Sequence, residues 1–159
     1  MPSRPARGGR EVVLRSAIAN FASLGYHGTS MRDIARDAGI TVASIYHHFP
    51  SKQLILQEIM RETLREVIGL TRAALEDAGP SPVDQLAAVM RAWVVFHTER
   101  RPEALIGASE MRSLDPDGRA QVVALRDEQQ AVFGDIVDRG VRDGCFATTH
   151  PREATWAVI

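Results

Sequence analysis

The stretch Thr29-Ser30-Met31-Arg32-Asp33-Ile34-Ala35-Arg36-Asp37-Ala38-Gly39-Ile40-Thr41-Val42-Ala43-Ser44-Ile45-Tyr46-His47-His48-Phe49 decides the fold. Thr29 or Ser30 is placed to cap a short helix whose inner face is Met31, Ile34, Ala35 and Ala38, and Gly39 breaks it. Thr41 then caps a second short helix with Val42, Ile45 and Tyr46 at the helical period, ending near Phe49-Pro50. Two short helices joined by a tight turn containing glycine are the sequence form of a helix-turn-helix, here at about residues 30–49. Ala35 stands where the helices cross, Gly39 supplies a turn conformation that a Cβ penalises, and Ile34, Ala38 and Ile45 seal the wedge. The second helix is thereby presented outward. Its positions Thr41, Ala43, Ser44, His47 and His48 are small or hydrogen-bonding, which suits a DNA major groove about 12 Å wide.

Working outward, apolar residues recur at spacings of three and four and no run alternates as a strand would. The chain is therefore expected to be all-α. Before the motif, a basic tail (residues 1–9) leads into a helix striped by Val13, Ala17, Phe21 and Leu24 that stops at Gly25. After it, Ser51 is placed to cap a long helix running through Leu56, Ile59, Thr63, Val67, Leu70 and Ala74 to Gly79. Pro80-Ser81-Pro82 opens a helix with Val83, Leu86, Met90, Trp93 and His97 on one face, ended by Pro102. A short helix over about 103–113 and a turn at Asp115-Pro116-Asp117-Gly118 follow. Val122, Leu125, Val132, Phe133, Ile136 and Val137 then stripe a long helix closing at Gly140 or Gly144, and a last helix starts at residue 152. The expected organisation is a three-helix helix-turn-helix domain, residues 1–55, joined by the long helix to a helical domain, residues 56–159.

The 159 residues carry a net charge of -1, which hides an asymmetry. Residues 1–57 hold seven basic against three acidic groups, a surplus of +4, and the remainder carries -5. A basic front end on an acidic body is the footprint of polyanion binding by one part only. No stretch approaches the roughly 20 apolar residues of a membrane helix, and the start lacks the apolar core of a secretory signal. A cytoplasmic protein is expected. Its one cysteine, Cys145, excludes an internal disulfide or a four-thiolate zinc site and is expected to be a buried structural thiol.

Lys52 is the only lysine, against 18 arginines. It stands at the start of the long helix, where a cation is mildly unfavourable, so its placement makes sense if an anion such as a DNA phosphate shares the site. The Tyr46 hydroxyl and the hydroxyl and amide groups at Thr29 and Ser30 are placed for further phosphate contacts. Arg4, Arg7 and Arg10 either add DNA contacts or form a solubilising tail.

The run from Gly25 through Thr29-Ser30, Ile34-Ala35, Ala38-Gly39-Ile40-Thr41 and Ile45-Tyr46-His47-His48-Phe49 to Ser51-Lys52 resembles the DNA-binding domain of TetR-family transcriptional regulators. The resemblance implies a homodimer binding a palindromic operator, usually as a repressor, and a helical body holding a small effector. It carries the phosphate-contacting or groove-facing roles onto Thr29 or Ser30, Tyr46, His47 and Lys52, and the base-reading role onto Thr41, Val42, Ala43 and Ser44. It also implies that the last two helices pack against the partner; the sequence ends within the first of them, at Trp156-Ala157-Val158-Ile159, so an incomplete C-terminus is expected.

In the body, Met90, Trp93, Phe96, His97, Met111, Arg112 and Phe133 are the expected ligand lining, each weighed against an ordinary packing role. For Arg112 a surface pair with Glu110 or Asp115 is favoured. The segment 104–126 loosely resembles family members that sense acyl-CoA thioesters. Catalysis is not expected, since there is no Gly-rich phosphate loop, no glycine-flanked nucleophilic serine and no histidine pair at zinc-site spacing. His47 and His48 point about 100° apart, and Cys145 with His150 supplies only two ligands, so no metal or cofactor is expected. The alternative is a helical ligand-binding or adaptor protein that lacks operator specificity.

Overall fold

Ser30, Thr41 and Ser81 cap helix starts, Gly39 ends one helix and Gly25 bends another, and the chain forms eight α-helices and one 3-10 turn in a computed structural model that describes residues 7–156. The order is α1 (Arg7–Gly28), α2 (Met31–Ala38), α3 (Val42–His48), α4 (Lys52–Asp77), α5 (Pro82–Glu99), α6 (Arg101–Ser109), the 3-10 turn (Met111–Ser113), α7 (Pro116–Arg142) and α8 (Pro151–Trp156). No strand occurs among the described residues, and the fold is all-α as the periodicity requires. No described helix is long and apolar enough to cross a membrane.

The chain divides into two compact units: residues up to Glu62 together with Arg101–Ala120, and Thr63–Arg100 together with the chain from Gln121. This differs from the expected division at 55/56. The reason is that α6 packs on α1, and Ile106 and Leu114 are buried among the apolar residues of the head. The core of this first unit is Val13, Ala17 and Phe21 from α1, Ile34 and Ala35 from α2, Ile45 from α3, then Phe49 and Ile55, Leu56 and Ile59 from α4. In the second unit Val89, Val132, Phe133 and Ile136 form a buried cluster, with Leu75, Leu86, Met90, Trp93 and Phe146 packed against it.

Local details depart from the simplest pattern. Gly25 does not end α1 but kinks it, at φ 73 and ψ 165, and the chain stays helical to Gly28. The kink turns Tyr26 inward to pack at 5.5 Å from Phe21, so Leu24, expected in the stripe, is left 57% exposed. Leu70 is likewise outward, while Ile68 and Thr71 take the buried face of α4. Asp115-Pro116-Asp117-Gly118 is the start of α7 rather than a separate turn. Asp115 Oδ1 accepts from Gly118 N at 2.7 Å, and Pro116 sits where a missing N–H costs nothing. Cys145 is exposed, correcting the expectation of a buried thiol.

Candidate nucleic-acid interface

The geometry of α2 and α3 follows from their caps. Ser30 is the N-cap of α2: its hydroxyl accepts from Asp33 N at 3.2 Å, and the Asp33 carboxylate accepts from Ser30 N at 3.0 Å. The Ser30 hydroxyl also donates to Asp33 Oδ2 at 2.5 Å, and this bond first, then the one from Ser30 N, holds the Asp33 carboxyl below its ordinary value. Gly39 ends the helix in the left-handed region at φ 67, its N–H meeting Arg36 O at 3.1 Å. A Cβ there would meet nothing within 4 Å, so dihedral freedom rather than space demands the glycine. Thr41 caps α3, its hydroxyl accepting from Ser44 N at 3.1 Å.

With Ile45 fully buried as the anchor, α3 turns Thr41, Ala43, Tyr46 and His47 outward, and Val42 and Ser44 are half-buried. Tyr46, counted on the inner stripe by period, is 51% exposed and carries its hydroxyl to the surface. His48 departs from the outward set. A Cβ on Gly9 would lie 2.7 Å from its Nε2, so its ring is against α1. Arg32, passed over in the sequence, is exposed in the first turn of α2 and forms no ion pair among the described residues. The signal lay in its neighbours: Ser30 holds Asp33, and Arg36 pairs with Asp33 at 3.0 Å and with Asp37 at 3.4 Å. That leaves Arg32 uncommitted.

Two expected DNA contacts are turned inward. Thr29 is buried, and its hydroxyl donates to Gly25 O at 2.9 Å. Lys52 Nζ donates to Tyr26 O and Thr29 O, both at 2.7 Å, and lies 4.1 Å from the centre of the Tyr26 ring. In place of an anion, the ammonium is met by the neutral carbonyl oxygens of Tyr26 and Thr29, in the segment that follows the Gly25 kink. Burial lowers the Lys52 pKa, against a smaller opposing pull from Glu110. Arg10 is also engaged within the protein, paired with Glu58 and, at 2.8 Å, with Glu62. It therefore ties α1 to α4 instead of extending a tail. Arg4 and the side chain of Arg7 lie outside the described residues.

Sequence reasoning missed the polar seam beside this point. Glu110 accepts from Tyr26 N at 3.1 Å, an amide freed by the Gly25 kink, and from the Ser113 hydroxyl at 2.8 Å. Gln53, on the first turn of α4, donates to Ser113 O and accepts from Asp115 N. These side chains bind the segment 110–115 to the head. No periodicity marks these contacts between the head and the segment 110–115, because they span 60 to 84 residues of sequence.

The expected ligand lining is divided between the two units. Met90, Trp93, Phe96, His97 and Phe133 belong to the second unit, whereas Met111 and Arg112 belong to the first. Phe96 and Phe133 are core residues, and His97 lies 4.0 Å from Trp93 ring to ring with Nδ1 2.8 Å from Trp93 O. Arg112 is exposed and forms no ion pair among the described residues: Glu110 is held by Tyr26 and Ser113, and Asp115 by Gly118. Among the described residues no three His, Cys, Asp or Glu side chains are grouped to hold a metal ion.

Residues 13–59 match the family described as bacterial regulatory proteins, tetR family, and residues 79–159 match the tetracyclin repressor-like C-terminal domain. The chain belongs to the TetR family. Among TetR-family relatives, the HTH-type transcriptional repressor KstR2 of Mycolicibacterium smegmatis is 34% identical over 146 residues, covering 91% of this chain and 70% of its own. A TetR-family regulatory protein from Rhodococcus RHA1 superposes with a TM-score of 0.90 at 28% identity, over 94% of this chain and 78% of that one. AibR, whose crystal structure is a complex with isovaleryl coenzyme A and operator DNA, shares the fold with a TM-score of 0.86 at 24% identity, over 94% and 81% of the two chains.

Proposed function

We propose that this TetR-family chain is a ligand-responsive repressor that binds a palindromic operator in double-stranded DNA as a homodimer, without catalysing a reaction. The observation that carries it is the outward face of α3, anchored by buried Ile45 and capped by Thr41. Thr41, Val42, Ala43 and Ser44 read base edges; Ser30, Tyr46, His47 and Arg32 engage phosphates together with the first-turn amides of α2. The repressor assignment is supported by the similarity to KstR2.

The effector we infer is a small hydrophobic molecule, an acyl-CoA, that releases the DNA. Support comes from the segment 104–126 and from AibR, a regulator of the same fold that holds such a compound. The test is fluorescence anisotropy with DNA from upstream of the protein's own gene, followed by titration with acyl-CoAs. Binding at about 10⁻⁸ M or tighter and a two-fold symmetric footprint are expected. Equal affinity for scrambled DNA defeats the operator assignment, and a complex indifferent to every acyl-CoA defeats the effector assignment.

A further inference from the structure

Imidazole is the side chain whose charge changes between about pH 5 and 8, so a histidine that faces a polyanion makes binding depend on pH within that range. Of the five histidines, three lie in the first unit: His27, His47 and His48. Their surroundings separate them. His27, at the end of α1, has its Nε2 3.3 Å from the Ser113 hydroxyl and its ring 5.2 Å from that of Tyr26. The His48 ring lies against α1 at Gly9. His47 stands exposed on the outward face of α3, next to the exposed Tyr46.

The charged groups of the neighbouring elements are engaged elsewhere. On α3 itself the ring nearest to His47 is that of His48, 5.4 Å away and inclined at 69°. On α2, Asp33 is held by Ser30 and Arg36, and Asp37 by Arg36 and, at 2.8 Å, by Asn20. Between α1 and α4, Arg10 takes Glu58 and Glu62 and lies 5.3 Å from the centre of the Phe49 ring, while Lys52 is turned to the Tyr26 and Thr29 carbonyls. Glu11 on α1 is exposed and makes no ion pair with His47. With no carboxylate among the described residues paired to it, the counter-charge open to a His47 imidazolium is a phosphate of bound DNA. Arg32, the exposed cation of α2, keeps its charge throughout this pH range and adds no pH dependence of its own.

The direction follows from the chemistry of the contact. A neutral imidazole gives a phosphate one ordinary N–H bond; an imidazolium gives a charge-assisted bond and displaces a condensed cation from the DNA. DNA therefore favours the protonated ring, binding takes up protons, and affinity rises as pH falls.

We propose that His47 makes operator binding proton-linked: its imidazolium, on the outer face of α3, grips a DNA phosphate, so the protein holds its operator more tightly in mildly acidic than in mildly alkaline solution. This rests on the operator-binding reading above and adds a regulation of that same site.

The test is fluorescence anisotropy of the full chain on operator DNA at about pH 8 and about pH 5.5, over a series of salt concentrations, with folding checked by circular dichroism at both. Wild-type affinity should tighten about tenfold on acidification, the difference between an ordinary and a charge-assisted hydrogen bond. The slope of log affinity against log salt should steepen by about one per subunit. His47→Gln, which cannot take up the proton, and His47→Arg, which is always charged, should each change less than twofold between the two pH values, with the arginine variant the tighter binder at both. His27→Gln should keep the wild-type response. A full pH response in His47→Gln, or a wild-type affinity that stays level or weakens on acidification, overturns the proposal while leaving the operator assignment standing. Equal affinity for scrambled DNA at both pH values overturns the operator assignment and this inference with it.

Discussion

The ammonium of Lys52 lies 2.7 Å from the carbonyl oxygen of Tyr26 and 4.1 Å from the centre of that residue's own ring, so one side chain of α4 closes the kinked end of α1. Replacing Lys52 with methionine leaves two carbonyls without their donor and should cost about 1–3 kcal/mol of unfolding free energy. The slope of log affinity for operator against log salt should stay as in the wild type, because the charge faces the protein. A slope reduced by about one, with stability unchanged, would place Lys52 on a phosphate instead.

The same contact sets a pH dependence. Burial lowers the Lys52 pKa below 10.5, so in the unfolded chain the amine binds its proton more strongly than in the folded one. The folded state bears that penalty in full at neutral pH, and it disappears as pH rises through the lowered pKa towards 10.5. Lys52→Met should lack this component, so the difference in stability between wild type and variant should widen in alkaline solution. Chemical denaturation at several pH values measures it, and a narrowing difference would contradict the assignment.

Ser30→Ala removes the N-cap of α2 and should cost about 1 kcal/mol. It should also release the Asp33 carboxyl towards its ordinary 3.8, since the Ser30 side chain is the largest contributor to its lowering. A depressed carboxyl contributes stability that is present above about pH 3.8 and lost as pH falls through its lowered pKa. An NMR titration in which Asp33 is unmoved by Ser30→Ala would refute the capping box as its cause.

Tyr46 and Ile45 are adjacent on α3 and should separate cleanly. Ile45→Ala removes a fully buried side chain and should destabilise the fold by about 2–5 kcal/mol. Tyr46→Phe should leave the melting temperature unchanged and weaken operator binding by about 0.5–1.5 kcal/mol, the worth of one hydrogen bond. Unaltered operator affinity in Tyr46→Phe would show that the exposed hydroxyl makes no contact.

Glu110→Ala strands the Tyr26 amide and should cost about 1–3 kcal/mol. Because Glu110 also holds the Ser113 hydroxyl, hydrogen exchange should quicken at Tyr26 and over 111–113 together. Protection lost at only one of the two would argue that the seam is not a unit.

The sequence by itself determined the helices of the helix-turn-helix, their caps and the buried anchor of α3, because these depend on contacts within a few residues. Ser30 with Asp33, Gly39, and Thr41 with Ser44 each act over three or fewer positions, and the period of 3.6 puts Ile45 inward wherever the helix packs. What only the tertiary structure decided is where charged and polar side chains go once the helices meet. Thr29 and Lys52 have the residue types and helix-start positions of phosphate contacts, yet a single positive φ at Gly25 turns the end of α1 back on itself and presents carbonyls that both side chains satisfy. Arg10 reads as part of a basic tail until α4 brings Glu58 and Glu62 to it across about fifty residues. Likewise the segment 101–120 joins the head, not the body that precedes and follows it in sequence, through Ile106, Leu114 and the Glu110–Tyr26 hydrogen bond. Long-range polar pairing has no period and no spacing, so it becomes visible only when the chain has folded.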